Sequence, residues 1–292
     1  MGDKYRAETW KEYIGQRKLK DRLSIEIEGA KSRNEKLPHI FLHGPPGCGK
    51  TTIANIISDQ MRLPLLSYVM PIKPIVLRQI LFQEHCLVFL DEIHRLTSKQ
   101  QEEFLTILED GYYQADNGLR IENDTLTFIG ATTEQDKVIK PLIDRFEVRP
   151  KFEEYSDRQM ARILMAMAKR VDFPIEPDVA EALGRATGGT PRNAKAIVNM
   201  ARNLDTDDVG LILEKCALTP DGFDEYHIEY LEVLQKSGTL AGLELLASHL
   251  QLSKSSILDL ERLLVKRGAI EHTKQGRQMT SAGYKILKEH GK

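Results

Sequence analysis

Apolar residues in the first half of the chain gather in short runs, a pattern typical of strands buried on both faces of a parallel sheet. The segments between the runs are helix-like. A lead-in helix is predicted within 5–37, and Phe104, Leu105 and Leu108 give one face of a helix predicted over 97–108. Strands that alternate with helices predict an α/β domain. The apolar runs lie at 39–42, 63–70, 86–90 and 126–130.

Beyond Tyr155 the apolar spacing becomes helical. A helix predicted to begin near Thr190, with Thr190 as its N-cap, runs to about residue 203. The last segment ends in two short extended stretches around Lys274 to Arg277, and three helices before such a hairpin outline a winged helix. The other helices are predicted over 157–171, 176–186, 224–235, 240–250 and 254–266. We therefore predict three domains, at 1–154, 155–220 and 221–292.

The most specific chemical signal is the segment FLHGPPGCGKTTI. Gly44, Gly49, Lys50 and Thr51 fill each fixed place of the G-x-x-x-x-G-K-[ST] phosphate-binding loop, between an apolar run and a helix-like segment. Backbone N–H groups of such a loop surround a β-phosphate, Lys50 reaches the β- and γ-phosphates, and the Thr51 hydroxyl ligates Mg²⁺. The alternative is a Gly/Pro turn between a strand and a helix. The pattern predicts a site for ATP and Mg²⁺, to which Gly47, Cys48 and Thr52 also belong.

Polar residues follow two of the predicted strands. Asp91 would hold Mg²⁺ through its water shell, and Glu92 would accept a proton from the attacking water. The alternative is an acidic turn that starts a helix. Thr132, at the tip of the next strand, could bind the γ-phosphate or the lytic water, or it is an ordinary β-branched strand residue. His94 fits a satisfied structural group better than a functional one.

Two arginines have open interpretations. Arg145, in PLIDRF, could meet γ-phosphate charge in a neighbouring subunit, although its residue type alone favours an ion pair with Asp144 or Glu147. Arg192 lies in the first turn of a predicted helix, where a cation opposes the helix dipole unless an anion faces it. A phosphate contact and a solvated side chain both remain open for Arg192.

Composition limits the partners. The 292 residues are 41% hydrophobic and 29% charged with a formal net charge of -2, so the chain as a whole has no nucleic-acid signature. Residues 252–292, however, carry nine Lys/Arg against four Asp/Glu, which favours DNA phosphate contacts over a solvated face or a protein-docking module. Three scattered cysteines predict neither disulfides nor a zinc site. Without an apolar h-region or a long apolar span, we expect a cytoplasmic protein.

The sequence resembles the RuvB family, the AAA+ motors that drive branch migration of Holliday junctions. The resemblance runs through RAETWKEYIGQ, HGPPGCGKTT, FLDEIHRL, TFIGATT, PLIDRF, KFEEY, GGTPRNA and GAIEHTKQGR. The loop is generic, whereas DEIHRL, GATT and GTPR in this order are more specific. The resemblance implies an AAA+ P-loop NTPase core with a parallel sheet, a helical lid and a C-terminal winged helix. It also implies an ATP-hydrolysing helicase that forms a hexameric ring and acts on four-way junction or duplex DNA.

The resemblance further implies roles for single residues. Thr132 matches sensor 1, Arg145 matches an arginine finger supplied to the neighbouring subunit, and Arg192 matches the sensor-2 arginine. Tyr155 matches a nucleotide-contacting tyrosine. The adenine site would be lined by Arg6, Tyr13 and Ile14. In the wing, Arg277 matches a DNA-contacting arginine, His272 stands where a second such arginine is expected, and Lys274 lies between them.

The chain also departs from the family pattern. The family docks its partner RuvA through an apolar hairpin, whereas residues 111–125 are shorter and polar here, so docking on RuvA is not carried over. Ala7 replaces a family proline and Ile143 a family arginine. An alternative function keeps the ATPase but not the motor: a loader or scaffold, similar to clamp loaders or helicase loaders, acting on a protein partner. Glu92 disfavours a third class, a nucleotide-gated module without turnover.

Overall fold

The computed structural model describes residues 3–115, 118–238 and 240–291. These residues form two compact units. One unit is Arg6–Glu154, and the other joins the N-terminal residues up to Tyr5 to Tyr155–Lys292. Each unit contains its own apolar core.

The first unit alternates strands and helices. Its elements are α1 (Arg17–Arg33), β1 (Ile40–His43), α2 (Lys50–Met61), β2 (Leu65–Val69), α3 (Pro74–Leu81), β3 (Leu87–Asp91), α4 (Ser98–Asp110), β4 (Tyr112–Gln114), β5 (Arg120–Glu122), β6 (Thr127–Thr132) and α5 (Lys140–Asp144). Four of the strands form a parallel sheet in the order β1-β6-β3-β2. The predicted α/β class with a parallel sheet is confirmed.

Successive residues of the central strands enter different apolar clusters. In β3, Val88 and Leu90 belong to one cluster, whereas Leu87 and Phe89 belong to the other. Both clusters are buried, because helices cover both faces of a parallel sheet. This explains why the sequence shows a continuous apolar run there instead of alternation.

The carboxyl ends of three strands meet at one edge of this sheet. In the register, His43 of β1 lies beside Thr132 of β6, and Leu90 of β3 lies beside Gly130 of β6. The phosphate loop therefore follows β1, the Asp91-Glu92 pair ends β3, and Thr132 ends β6, all at the same edge. Ligands of open α/β sheets bind at this edge.

The polar segment at 111–125 forms a short antiparallel hairpin, β4 with β5. Tyr113 and Ile121 are buried in the core, whereas Gln114, Arg120 and Glu122 are exposed. The period-2 pattern was hidden by the charged residues around it. Leu119 is the large apolar residue that the described part of the hairpin exposes, at 42%. Residues 116 and 117 of this segment lie outside the described residues.

The second unit is mainly helical. Its elements are α6 (Asp157–Arg170), α7 (Pro177–Ala186), α8 (Pro191–Leu204), α9 (Val209–Lys215), α10 (Glu225–Lys236), β7 (Leu240–Ala241), α11 (Leu243–Leu250), α12 (Lys254–Lys266), β8 (Ile270–Thr273), β9 (Gly276–Met279) and α13 (Ser281–His290). β7, β9 and β8 form an antiparallel sheet beside α10, α11 and α12, so the predicted winged helix is confirmed.

Two local predictions in this unit are wrong. The helix predicted from residue 240 begins at Leu243, because Ala241 pairs with Arg277 as a third strand of the wing. Gly276 permits that pairing, since a Cβ there would lie 2.8 Å from the Ala241 carbonyl oxygen. Thr190 occupies the N-cap position of α8, but its side chain accepts no capping hydrogen bond.

The predicted boundary at residue 220 is crossed by polar contacts inside the second unit. The Arg267 guanidinium, at the end of α12, donates to both carboxylate oxygens of Asp157 at 2.7 and 3.2 Å. It also donates to the Arg185 carbonyl oxygen at 2.7 Å, and the Lys266 ammonium donates to the Tyr155 carbonyl oxygen at 2.9 Å. These contacts explain why the helical and winged-helix segments form one compact unit.

Candidate nucleotide site

The phosphate loop connects β1 to α2 through left-handed glycines. Gly47 and Gly49 have φ of 72° and 108°, a region that favours glycine. A Cβ at Gly49 would lie 2.6 Å from the Tyr13 hydroxyl oxygen, so a side chain there would also clash. The Lys50 ammonium donates to the carbonyl oxygens of Gly44 at 2.7 Å and Pro45 at 3.1 Å. The loop therefore curls around the lysine at the N-terminus of α2.

The predicted adenine-site residues lie at different depths. Tyr13 is buried behind the loop, and its hydroxyl donates to the Cys48 carbonyl oxygen at 3.3 Å. Ile14 is half-buried and Arg6 is exposed. Cys48 is buried against Gly44, and Thr51 and Thr52 are half-buried in the first turn of α2. Tyr13 thus supports the loop backbone, and its contact with adenine stays a prediction.

The acidic pair lies in the turn that leaves β3. Glu92 has a left-handed φ of 55°, and its backbone N–H donates to the Asp91 carboxylate at 3.1 Å. The Glu92 carboxylate accepts a hydrogen bond from the Thr133 hydroxyl at 3.2 Å and lies 3.1 Å from Nδ1 of His94.

The two threonines at the end of β6 have different surroundings. Thr132 is fully buried, and its hydroxyl oxygen accepts the Glu134 backbone N–H at 3.0 Å and lies 2.9 Å from Nδ1 of His94. Thr133 is half-buried and contacts Glu92 directly. The sequence places both threonines at the strand tip; the resemblance selects Thr132, whose role stays a prediction, and does not single out Thr133. The signal that could have found it is its place one residue beyond the strand, where a side chain is no longer covered by the sheet.

His94 also belongs to this group. Its side chain is 9% exposed, and its Nε2 lies 3.3 Å from a carboxylate oxygen of Glu134 while its Nδ1 faces Glu92 and Thr132. The interpretation as a satisfied structural group accounts for its burial but not for its position against Glu92. The sequence shows that His94 lies just after the acidic pair, but its contacts with Glu92, Thr132 and Glu134 are visible only in the structure.

Arg145 does not pair with its sequence neighbours. Its guanidinium donates to Glu109 of α4 at 2.7 Å. Asp144 instead accepts from Arg149 at 2.7 Å, and Glu147 accepts the His39 backbone N–H at 2.8 Å, so the pairing considered from sequence is wrong. The Arg145 side chain is 38% exposed, and its Nε is shielded from solvent without a hydrogen-bond partner among the described residues.

The second unit contains the remaining nucleotide predictions. Tyr155 is buried, and its backbone oxygen accepts from Lys266. Arg192 is exposed in the first turn of α8, where it pairs with no residue in the described part of the chain. The contacts of both side chains with nucleotide stay predictions.

The predicted DNA residues of the wing surround a buried carboxylate. Glu261 is 2% exposed and accepts from Arg277 at 2.8 Å and from the Tyr230 hydroxyl at 2.9 Å. Nε2 of His272 lies 2.9 Å from the other carboxylate oxygen of Glu261. Burial, reinforced by the Glu261 charge, raises the pKa of the Tyr230 hydroxyl. Lys274, at the hairpin turn, and His272 are both exposed, whereas Arg277 is half-buried.

The loop, the acidic pair and the strand order define the chain as an AAA+ P-loop ATPase with a winged helix. A family model described as the Holliday junction DNA helicase RuvB P-loop domain matches residues 5–152, and the RuvB C-terminal winged helix domain matches residues 220–288. The chain belongs to the RuvB family.

Relatives and solved structures match almost the whole chain. The Holliday junction branch migration complex subunit RuvB of Campylobacter fetus subsp. fetus is 32% identical over an alignment of 300 positions that covers 96% of this chain and 88% of that protein. The RuvB subunit of Nitratiruptor sp. is 33% identical and covers 97% of this chain and 91% of its own length. The Thermotoga maritima RuvB Holliday junction branch migration motor superposes with a TM-score of 0.86 at 29% identity, covering 98% of this chain and 99% of that one.

The described residues also bear on metal ligands and on membrane-spanning helices. In those ranges, no helix combines the length and apolar character that a membrane crossing requires. The same ranges bring together no group of three or more His, Cys, Asp and Glu side chains suited to a metal ion. A metal at the nucleotide site would therefore need oxygen ligands from the nucleotide and from water as well as from protein.

Proposed function

We propose that this chain is an ATP-driven DNA motor that hydrolyses ATP at sites shared between subunits of a hexameric ring and thereby moves duplex DNA or a four-way junction. The observation that carries the proposal is the convergence, at one sheet edge, of the phosphate loop, the Asp91-Glu92 pair and Thr133. The DNA substrate in this proposal is inferred from the names of the relatives, which describe Holliday junction branch migration.

The residues at this edge fit ATP with Mg²⁺. Gly47 and Gly49 take left-handed backbone conformations and carry no side chain that would block the approach of a phosphate, and the Lys50 ammonium lies within the loop. The Thr51 hydroxyl and the Asp91 carboxylate are hard oxygen ligands of the kind that Mg²⁺ takes together with water and phosphate oxygens. When bound, Mg²⁺ would offset negative charge that develops on the phosphates.

In this proposal Glu92 is the general base. Its carboxylate accepts a proton from the attacking water, which Glu92 can do because hydrogen bonds hold it without covering both oxygens. Thr133 orients the carboxylate through its hydroxyl, and Thr132 keeps the end of β6 in place through the Glu134 backbone. In this proposal Thr133 acts directly on the general base, whereas Thr132 acts indirectly, by holding the end of β6.

Arg145 would complete the site of an adjacent subunit. Its side chain is partly exposed, and its terminal nitrogen pairs with an equally accessible Glu109 carboxylate, so that ion pair can be exchanged for one with a phosphate. An arginine supplied in trans typically raises phosphoryl-transfer rates by about 10³ to 10⁵-fold. Arg192, Tyr155, Arg6 and Ile14 are assigned to nucleotide by the resemblance alone.

The DNA contacts of the wing would rest on fewer arginines than the family pattern suggests. Arg277 is engaged by Glu261, and His272 replaces the second arginine. Lys274 is exposed, and of the three it is the one that does not contact Glu261 in the described part of the chain. The hairpin β4–β5 has polar outward residues, which supports the proposal that a RuvA-like partner, if there is one, docks elsewhere.

Stimulation of ATP hydrolysis by nucleic acid tests the proposed function. The ATPase rate of the full chain is measured alone, with linear duplex and with four-way junction DNA, and the Glu92→Gln variant serves as the control for contaminating activity. A motor is stimulated by DNA alone. A rate that DNA leaves unchanged, and that rises only when a protein partner is added, contradicts the motor and supports the loader.

A further inference from the structure

His94 occupies a position between two strands that approach the nucleotide. It lies in the turn after β3, and its ring contacts the residues that end β6. Its side chain is 9% exposed, so its contacts are shielded from bulk water. A histidine that only filled space here would not need acceptors at both ring nitrogens.

The two ring nitrogens face different partners. Nδ1 lies 3.1 Å from Oε2 of Glu92 and 2.9 Å from the Thr132 hydroxyl oxygen, whereas Nε2 lies 3.3 Å from Oε1 of Glu134. Nδ1 can donate to Glu92 or accept from Thr132, according to which nitrogen carries the proton. The contact at Nε2 therefore influences the contact at Nδ1.

Glu134 is a firm anchor for this arrangement. Its backbone N–H donates to the Thr132 hydroxyl at 3.0 Å, and its carboxylate pairs with the Lys137 ammonium at 2.5 Å. Glu92, in contrast, is held among the described residues at its Oε2 alone, by Thr133 at 3.2 Å and by His94. A movement of the segment 132–134 would consequently be transmitted to Glu92 through the imidazole ring of His94.

We propose that His94 is a positioning residue that links the general base Glu92 to the end of β6, so that the carboxylate is aimed at the attacking water only when β6 is in its reactive arrangement. The inference rests on the proposed function, since it assigns a role within the ATP hydrolysis site. His94 does not exchange a proton with the substrate in this scheme. It acts on the orientation of Glu92 and leaves nucleotide binding to the phosphate loop.

Two substitutions separate the ring nitrogens. His94→Asn places an amide near the position of Nδ1 and retains a donor for Glu92, whereas His94→Gln places its amide near Nε2 and retains only the contact with Glu134. Both substitutions disturb the packing around residue 94 less than truncation of a core side chain would. His94→Ala removes both contacts. Trp10 fluorescence checks that each variant keeps the fold of the first unit.

The experiment measures single-turnover ATP hydrolysis with enzyme in excess, and the Kd of a fluorescent ATP analogue, for each variant. We expect His94→Asn to stay within about threefold of the wild-type rate, and His94→Gln and His94→Ala to fall by about 10²-fold, as a misplaced reacting group typically does. The Kd should stay within about twofold of wild type for all three, because the loop is untouched.

A double-mutant cycle gives a readout that a merely structural role would not produce. Because His94 acts through Glu92, His94→Ala should lower the residual rate of Glu92→Gln by less than about twofold. The inference is overturned if His94→Gln matches wild type, if the Kd rises in parallel with the loss of rate, or if His94→Ala lowers the Glu92→Gln rate as strongly as the wild-type rate. If wild type itself hydrolyses no ATP, the proposed function fails instead.

Discussion

The buried histidine beside β1 gives the ATPase unit a pH-dependent stability. His39 is 4% exposed, and its Nδ1 accepts the Phe128 backbone N–H at 3.0 Å, so the ring is neutral with its proton on Nε2. Burial, with a smaller contribution from the Lys36 charge, lowers the pKa of His39 from 6.5 to about 3. Protonation would remove the acceptor and place a charge in the core.

The direction and the magnitude of this change in folding stability follow from the difference between the folded-state and unfolded-state pKa values of His39. Between pH 6.5 and about 3 the unfolded chain binds a proton at residue 39 that the folded chain does not, so stability falls as the pH falls through this window. With those two pKa values, the His39 contribution lost between pH 7.5 and pH 5 is about 2 kcal/mol. The contribution is fully present above the pKa of the unfolded chain.

Urea unfolding followed by Trp10 fluorescence measures this effect. Trp10 is the single tryptophan and packs against the core cluster that contains Ile40, so it reports on the ATPase unit. The control is His39→Gln, whose amide oxygen can accept from Phe128 but does not titrate. Wild type should lose about 2 kcal/mol more than the variant between pH 7.5 and pH 5, whereas His85→Gln, at an exposed histidine, should track wild type. Parallel losses in wild type and His39→Gln would refute the reasoning.

Two further substitutions test the loop and the wing. Gly49→Ala should weaken binding of a fluorescent ATP analogue at least about tenfold, because its Cβ would lie 2.6 Å from the Tyr13 hydroxyl at a φ of 108°; unchanged binding would contradict the loop assignment. Arg277→Ala should lower the unfolding free energy of the winged helix by about 3 kcal/mol, because Glu261 would lose its main partner. Hydrogen exchange of the α10 and α12 amides measures this, and Lys274→Ala should leave exchange unchanged while weakening DNA binding. Equal exchange in Arg277→Ala and wild type would show that the ion pair is not structural.

Much of the ATPase fold could be predicted because its signals are local. Strands buried on both faces appear as apolar runs, and the glycines of the phosphate loop mark their own turn. Helix α12 begins and ends where the sequence predicts, since Ser253 caps its first turn through its side chain. The acidic pair followed from its place after an apolar run.

The features that were missed depend on contacts distant in sequence. β7 is two residues long and exists because it pairs with β9, and α9 is only seven residues long. Arg145 pairs with Glu109, 36 residues away, and Arg277 with Glu261, which no local pattern reveals. The contacts of Thr133 and His94 with Glu92 could not be predicted for the same reason, because residue type does not show which side chain faces Glu92.

Subunit mixing tests the central claim, that each ATP is hydrolysed with an arginine from the neighbouring subunit. Lys50→Ala removes the phosphate-binding lysine and Arg145→Ala removes the finger, so each variant alone should be inactive. Arg149→Ala is the matched control, because Arg149 is similarly exposed and is paired with Asp144.

The deciding measurement is the ATPase rate of Lys50→Ala and Arg145→Ala mixed in equal amounts. Random assembly gives about a quarter of the sites an intact Lys50 and a neighbouring Arg145, so the mixture should recover about a quarter of the wild-type rate if sites act independently. Arg149→Ala should hydrolyse ATP at the wild-type rate without mixing. Full activity of Arg145→Ala alone, in a protein that stays monomeric with ATP, would contradict the account.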